Sequence, residues 1–449
     1  MPIRDVLLTV VVFVSLPICI LKPWVGMLVW SWIGYMNPHR LTWGFSRNIP
    51  FAFMVAIAVM FGFLFTKDRY SLPRTREVFL LLLLWATFFL STLFAVYPED
   101  AWIQLSKVSK ILLMTFMTLL LFQDTKKVTM LLWVIALSIG FFGLKGGIWA
   151  VLTGGQNMVL GPPNSFIAGN TEIGLALNMV LPILLFLRHE TSRPWLRHVL
   201  LAIFAFSIIA VLITYSRGAF LGLAVVLSVL FLKGRSKVIV LLILCVGFFL
   251  AAMYLPEKWV GRMETIKTYE QEGSAMGRLR AWEMAWKLAL DRPSLGAGFR
   301  AFQPEMYERY LPEVPKTNVD AHSIFFQVLA EHGFIGLILY SGLILTTMLS
   351  LRKMIAKSRK NPSLEFIWNC SRCMEGSLIG YVVSGLFLSM SYFDLFYQFV
   401  AIVIILKQLA RAEERKINPK LSKHWEPEAS EPVAASPEAP GAFSRKFDS

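Results

Sequence analysis

The sequence predicts an all-α protein that crosses a membrane many times, and three observations support this fold class. Hydrophobic residues make up 56% of the 449-residue chain and the mean hydropathy is +0.59, which leaves too little polar surface to cover a soluble globule. The apolar residues form long continuous runs, whereas the strands of a membrane barrel would alternate over about ten residues. Basic residues cluster in the links between these runs.

The apolar runs define the predicted helices in chain order. A helix needs about 20 residues to cross ~30 Å of hydrocarbon, so we predict about 12 (12–13) transmembrane helices. Lys22 and Pro23 interrupt residues 5–36, and the sequence does not decide whether these form one span or two. The runs are 5–21, 24–36, 49–65, 77–95, 101–122, 128–152, 171–187, 198–214, 218–232, 238–255, 321–350, 374–391 and 395–410.

Basic residues in the short links set the predicted orientation. One set of alternate links carries eighteen Lys or Arg residues in total, whereas the opposite set carries three. Because basic links remain in the cytoplasm, the first set and the C-terminus are predicted to be cytoplasmic. The net charge of +15 is therefore assigned to topology and not to nucleic-acid binding. The basic links are 66–76, 123–127, 188–197, 233–237 and 352–372.

The chain divides into four predicted segments. Residues 1–255 hold the N-terminal transmembrane helices, and residues 321–410 hold the C-terminal ones. Between them, residues 256–320 form one large polar loop on the side opposite to the basic links. Residues 411–449 form a cytoplasmic tail that is rich in Pro, Ala, Ser and Glu. The tail has almost no aliphatic residues with which to bury a core, so we expect it to be disordered.

One stretch of the loop predicts an amphipathic helix. It starts near Ser274, a candidate N-cap, and carries apolar residues at helical spacing. A helix of this kind with two tryptophans is expected to lie at the membrane interface. The predicted apolar face consists of Ala275, Leu279, Trp282, Ala285, Trp286 and Ala289.

Two arginines of this helix, Arg278 and Arg280, are candidates for binding an anion. The loop carries ten basic and ten acidic residues, so an anion site must come from particular arginines and not from overall charge. Both stand in the first turns, where free backbone N–H groups and the positive end of the helix dipole favour a phosphate. The alternative is that they contact lipid headgroups or a glutamate.

Arg217 and His322 are the other candidates. Arg217 lies between two apolar runs, where a cation costs roughly 2.5–3.5 kcal/mol at mid-membrane and usually faces a cavity or a partner; snorkelling to headgroups is the alternative. His322 follows Asp320, which is expected to cap the next helix. A neutral imidazole near arginines suits a general base, and a simple interfacial hydrogen bond is its alternative. We expect Glu331 to lie about half a turn away and not to form a dyad with His322.

The sequence gives no sign of a metal or cofactor site. The loop has no DxD or closely spaced Asp pair, which disfavours metal-assisted activation of a sugar phosphate. Cys370 and Cys373 form a lone CxxC with no second pair and no histidine nearby, too few ligands for zinc. The GAGF sequence at 296–299 follows a proline and predicts a turn, not a phosphate cradle.

Several of these stretches resemble one known family. YSRGAFLGL at 215–223, SAMGRLRAWEMAWKLALDRPSLGAGF at 274–299 and AHSIFFQVLAEHGFIGL at 321–337 are similar to the bacterial O-antigen ligase and polymerase superfamily. The N-terminal PWVGMLVWSWIGYMNPHRLTWGF at 23–45 looks like the branch of exosortase-A-associated O-glycosylation ligases. The resemblance covers roughly residues 1–410. It implies a GT-C-like membrane glycosyltransferase in the bacterial inner membrane, with the large loop in the periplasm.

The resemblance also implies roles for particular residues. The family's essential span-end arginine, loop-helix arginine and helix-opening histidine fall on Arg217, Arg278 and His322. Arg280 is a neighbour of the motif position, and Ser323 stands where many members have Asn. Two guanidinium groups would neutralise a diphosphate leaving group in place of a metal, and His322 would deprotonate the acceptor hydroxyl.

The function implied is that of an O-antigen ligase without a cofactor. It would transfer a glycan, with inversion, from undecaprenyl diphosphate to a lipid A–core sugar hydroxyl on the periplasmic face. Its partners would be this donor, this acceptor and membrane lipids, and no nucleic acid. Arg280, Arg300 and Lys145 are expected to bind substrate, with an internal ion pair as the alternative for Lys145. An O-antigen polymerase, a protein O-oligosaccharyltransferase and a polytopic transporter are the competing functions.

Overall fold

Long apolar stretches become long helices here because a helix satisfies its backbone N–H and C=O groups within its own segment. The structure, a computed structural model, describes residues 3–67, 70–233, 273–313 and 319–417. Its α-helices within these ranges are Ile3–Leu21 (α1), Pro23–Met36 (α2), Phe51–Phe65 (α3), Arg76–Leu93 (α4), Pro98–Leu121 (α5), Thr125–Leu152 (α6), Asn170–Glu190 (α7), Pro194–Leu212 (α8), Arg217–Lys233 (α9), Gly273–Asp291 (α10), Pro304–Tyr310 (α11), Ile324–Ser358 (α12), Glu365–Gly385 (α13) and Asp394–Ile417 (α14).

The described part of the chain has eight helices that are long and apolar enough to cross a membrane. This count does not confirm the predicted number of about 12. With 14, 15 and 17 residues, α2, α3 and α9 fall short of that length, and at 1.5 Å per residue they extend at most about 26 Å. Helix α13 carries the charged residues Arg372 and Glu375 near its middle. The predicted run 238–255 lies outside the described residues, as do residues 256–272 of the loop and the tail from residue 418.

Residues 5–36 form two helices. Asp5, in the first turn of α1, accepts hydrogen bonds from the backbone N (3.0 Å) and Oγ (2.8 Å) of Ser46, shortly before α3 begins. At its other end, α1 contacts α3 where Gly62 lies against the backbone of Ile20. Helices α1 and α3 therefore run parallel. Helix α2, which leads from the end of α1 back towards the start of α3, runs in the opposite direction.

Small residues let α6 and α8 approach closely. Gly140, Gly143 and Gly147 lie along one face of α6, and a Cβ atom on any of them would overlap atoms of α8, including Ser207 and the carbonyl of Phe206. Close approach of this kind is how helices gain van der Waals contact where lipid supplies no hydrophobic driving force between them. The pair therefore forms a tightly packed part of the bundle.

Helices α7, α9 and α13 are held together by a buried amide. Asn178 on α7 donates from Nδ2 to the carbonyl of Ala219 on α9 (2.8 Å) and to Oγ of Ser384 on α13 (3.2 Å). Gly222 gives both groups the space that they occupy, because a Cβ there would overlap each of them. This contact fixes the first turns of α9, where Arg217 lies.

Links that we predict to face outward meet at one end of the bundle. The backbone N of Val96 donates to the carbonyl of Ala297 (2.8 Å), and the rings of Phe166 and Phe393 lie 6.5 Å apart between centroids. Further hydrogen bonds join the links before α7 and α9. The linking segments that gather here are 94–97, 153–169, 213–216, 292–303 and 386–393.

Ion pairs join helices at the opposite end. Lys407 on α14 lies 2.9 Å from the buried carboxylate of Glu77 at the start of α4. Glu375 on α13 accepts from both Lys233 (3.0 Å) and Arg352 (3.4 Å). Glu77, Lys233 and Arg352 lie at or next to basic links, so these ion pairs stand at the end of the bundle opposite to the gathered linking segments.

The predicted apolar face of the loop helix α10 is partly buried in the protein. Ala285 and Ala289 are buried, whereas Leu279 and Trp286 remain 45% and 49% exposed. Exposed apolar side chains do not contradict a face at the membrane interface, which stays a prediction. Small side chains allow α10 to lie close to α12 and to the segment after α10, so the helix turns its smaller residues inward. The buried face consists of Ala281, Met284, Ala285, Leu288 and Ala289.

Helix α12 is kinked at Gly333, whose φ of 63° and ψ of −165° lie outside the helical region. At the kink, backbone groups of α12 form hydrogen bonds with the segment that begins at Pro293. The carbonyls of Ala330 and Glu331 accept from the backbone N of Ala297 and Gly298 (both 2.9 Å), and the N of Phe334 donates to the carbonyl of Pro293 (2.8 Å). The GAGF sequence is thus the expected turn, and it is docked on the open turn of α12.

Replacing Gly333 tests this arrangement. Gly333→Ala is expected to lower the free energy of unfolding by about 1–3 kcal/mol or more, because its backbone conformation is almost exclusive to glycine and a Cβ would lie 2.5 Å from the carbonyl oxygen of Pro293. Thermal unfolding of the purified protein in detergent measures the change.

Gly342→Ala on the same helix is the matched control. Nothing lies within 4 Å of the added Cβ, and alanine favours a helix by up to about 1 kcal/mol over glycine. Its unfolding temperature should be unchanged or higher. Equal effects of the two substitutions would contradict the role assigned to Gly333.

Candidate active site

His322 lies just before α12 and not on it. The helix begins at Ile324 after Ser323, with no side-chain cap, so the expectation that Asp320 caps it was wrong. His322 adopts a left-handed conformation with φ 45°, and its backbone N donates to Oγ of Ser389 (2.8 Å). His322 therefore lies at the N-terminus of α12, next to the segment that joins α13 to α14.

Arg278 lies close enough to His322 for its charge to act on the imidazole. Burial is the first reason that the pKa of His322 lies below its ordinary value, the Arg278 guanidinium lowers it further, and Asp320 opposes both. The position of α10 is set by Trp282, whose Nε1 donates to the carbonyl of Ala321 (2.8 Å) and whose ring stacks on Phe326. The imidazole is therefore neutral at neutral pH.

Arg217 is the first residue of α9 and is half-buried. The next residue, Gly218, packs closely against Phe387. A Cβ added to the glycine would lie 2.9 Å from the Cβ of Phe387. Phe387 and Ser389 both belong to the segment 386–393. One short segment therefore contacts the start of α9 and His322, and it brings both to the same end of the bundle.

A polar cavity of about 420 Å³ opens beside this segment. Arg300 lines it, whereas Arg280, half-buried on α10, and Lys145, exposed on α6, are not among its described lining residues. The cavity mixes amide, carboxyl and aromatic side chains, the composition of a small-molecule site. The lining residues are Gln104, Phe166, Arg300, Phe302, Gln303, Asp320, Gln327, Glu331, Ser389, Met390, Tyr392 and Phe393.

Glu331 is a principal residue of this site, although the sequence predicted only that it would not form a dyad with His322. It is 3% exposed, and its carboxylate accepts from the backbone N of Arg300 (2.9 Å) and from the hydroxyl of Tyr392. The same hydroxyl lies 2.8 Å from Nε2 of His332, and Nδ1 of that ring lies 2.6 Å from Oγ of Ser91. A glutamate and a histidine in an otherwise apolar run are the signal that could have identified this chain of hydrogen bonds.

Charges of opposite sign occupy neighbouring parts of the site. Asp320 interacts electrostatically with Glu331 and with Glu172 at the start of α7. The charge of Arg278 acts on His322, and that of Arg300 acts on Glu331. Among the described residues, the cavity wall carries two carboxyl groups and one guanidinium.

Groups that resemble a metal site are not found in the part of the chain that the structure describes. Within it, no cluster of three or more His, Cys, Asp or Glu side chains is placed to hold an ion. Cys370 and Cys373 are buried on α13 as free thiols.

Two family models match the sequence. Residues 3–192 match a family of unknown function, and residues 202–341 match the family described as O-antigen ligase. No curated protein matches the chain. The second match contains Arg217, Arg278, Arg300, His322 and Glu331, and so includes most of the charged residues of the site.

The match confirms the predicted superfamily, while the narrower branch of exosortase-A-associated ligases remains a prediction. Helices α9 and α10, which carry Arg217 and Arg278, belong to the matched region, and so does His322, which precedes α12. Residues 202–341 thus carry a domain that matches O-antigen ligases, and this domain supports the O-antigen ligase superfamily.

Proposed function

We propose that the protein is a glycan ligase that transfers a lipid-linked glycan from undecaprenyl diphosphate to a hydroxyl of a lipid A–core sugar. The observation that carries the proposal is that burial and then the charge of Arg278 lower the pKa of His322, within the region that matches O-antigen ligases. A fixed cation beside a neutral base is what is needed to release an anionic leaving group and activate a hydroxyl. The domain match favours glycan transfer over transport.

The reaction needs the charge of a diphosphate to be neutralised as it leaves. The acceptor oxygen forms a bond to the anomeric carbon, and the bond from that carbon to the diphosphate oxygen breaks with its electron pair passing to the diphosphate. Arg217 and Arg278 would hold the diphosphate, since guanidinium groups bind such oxygens bidentately. Attack opposite the leaving group inverts the anomeric centre, and the scheme calls for no metal ion.

His322 would take the proton of the acceptor hydroxyl. Its imidazole is neutral because burial and Arg278 both disfavour the charged form, and a neutral ring is the form that accepts a proton. Its backbone is fixed by the hydrogen bond to Ser389. Arg280 and Arg300 would contact parts of the substrates farther from the reacting atoms.

The proposed setting follows from the charge of the links. The basic links and the C-terminus would face the cytoplasm of a bacterium, and the end that carries His322 would face the periplasm. The loop of residues 256–320 would then cover the site from outside the inner membrane, between the transmembrane helices of 1–255 and 321–410. Lipid A–core as the acceptor rests on the family resemblance.

Single substitutions test the roles of the three residues. Arg217→Ala, Arg278→Ala and His322→Ala are each expected to lower the rate of transfer by about 10²-fold or more, the usual effect of removing a charge-stabilising group or a general base. The assay uses protein in nanodiscs with lipid-linked glycan and lipid A–core, with and without EDTA.

Arg309→Ala serves as the matched control. This arginine is 63% exposed and pairs with Asp291 in the same loop, so its removal should leave the rate unchanged. Transfer by His322→Ala at the wild-type rate would contradict the base, and loss of wild-type activity in EDTA would contradict the metal-free scheme.

The pH profile gives a second test. Protonation of His322 stops it from accepting a proton, so the rate should fall on the acid side through a pKa below 6.5. Asp320→Asn removes the charge that raises this pKa, and the acid limb should therefore move to lower pH. Initial rates between pH 4 and 8 measure the shift.

Asp291→Asn is the control for this profile. Asp291 lies at the far end of α10, about 20 Å along the helix from Arg278, and its pairing with Arg309 is exposed. The acid limb should not move in this variant. A limb that stays in place in Asp320→Asn, or moves to higher pH, would show that His322 does not control the rate.

A further inference from the structure

The cavity beside His322 differs chemically from the site of the arginines. Its wall carries the carboxyl groups of Asp320 and Glu331 and, among the described residues, one guanidinium, that of Arg300, so it offers no pair of cations. Carboxylates repel a diphosphate, and removing such an anion from water requires paired cations. The cavity is therefore not built for the diphosphate of the donor, which belongs with Arg217 and Arg278.

The polar groups of the wall suit hydroxyl groups. Gln104, Gln303 and Gln327 line the cavity, and each amide both donates and accepts hydrogen bonds. The Oε1 of Gln327 already accepts from Oγ of Ser391 (2.8 Å), so this residue offers its N–H groups. Carboxylates, amides and aromatic faces together match a ligand with many hydroxyl groups and an apolar ring face.

The size and position of the cavity narrow the ligand further. Its volume of about 420 Å³ is room for roughly one or two pyranose rings, at the small end of ligand pockets. Ser389 lines the cavity and also accepts the hydrogen bond from the backbone N of His322. A ring held there would have its hydroxyl groups next to the proposed base.

We infer that this cavity binds a neutral sugar ring, either of the acceptor or of the donor glycan, which extends the proposed function by assigning a second substrate subsite. Gln104, Gln303 and Gln327 would hold its hydroxyl groups, and Phe166 would cover one ring face. Glu331, fixed by Tyr392 and by the backbone of Arg300, would accept a hydroxyl hydrogen bond at the base of the cavity.

Direct binding of two free oligosaccharides tests this assignment and identifies the source of the sugar. One is dephosphorylated core oligosaccharide released from lipid A, and the other is a single O-antigen repeat with a free reducing end. Each is titrated against the full-length protein in nanodiscs by calorimetry. Wild type should bind one of them measurably more tightly, and inorganic diphosphate should not displace it.

Three single variants and one double variant test the cavity wall. Gln104→Ala and Gln303→Ala should each raise the Kd of the bound oligosaccharide about 2- to 10-fold, the usual effect of one lost hydrogen bond, and the double variant should raise it about tenfold or more. Phe166→Ala, at a side chain that is 41% exposed, leaves the core intact and should weaken binding in the same way. Gln156→Ala, at an exposed position of the 153–169 link, is the matched control and should bind as wild type does.

The possible results separate this inference from the proposed reaction. A rise in Kd confined to the wall variants supports the sugar subsite, even if His322→Ala still transfers glycan and the proposed base is wrong. Wild-type binding by all wall variants, no binding of either oligosaccharide to wild type, or displacement by diphosphate would each overturn the subsite. In each of these three cases the proposed reaction would still stand if Arg217→Ala and Arg278→Ala abolish transfer.

Discussion

The architecture of the site depends on an exchange of backbone hydrogen bonds at Gly333. An intact helix would use the carbonyls of Ala330 and Glu331 for its own next turn, but the kink gives them to Ala297 and Gly298 instead. Unsatisfied backbone groups inside a membrane cost several kcal/mol each, so the kink and the docked turn need each other. The exchange positions the segment that carries Arg300 against the helix that carries Glu331.

Two different electrostatic environments arise next to each other from this arrangement. The docked turn places the backbone N of Arg300 on Glu331, and α10 brings Arg278 towards His322. A leaving group with negative charge and a neutral sugar have opposite requirements, since one needs cations and the other needs hydrogen-bonding groups. The segment 386–393 lies between them and contributes Ser389, which serves both His322 and the cavity.

Hydropathy and charge patterns predicted the helices, the amphipathic character of α10 and the grouping of the links, because these depend on local periodicity and on loop charge. They did not predict the position of His322, which depends on a left-handed residue and on Ser389, far away in sequence. They did not predict which residues of α10 pack inside the protein, because that depends on contacts with α12 and with the segment after α10. Glu331 was weighed only against His322, whereas its partners are Tyr392 and Arg300.

The hydrogen bonds from Glu331 through Tyr392 and His332 end at Ser91 on α4. Ser91 belongs to the region that matches a family of unknown function, and Glu331 belongs to the region that matches O-antigen ligases. The boundary between the two families is thus a boundary in sequence and not in the packed interior. If the N-terminal half were exchanged for that of a distant relative, the new half would have to supply a hydroxyl at the position of Ser91. Without it, His332 in the ligase half would lose a buried hydrogen bond.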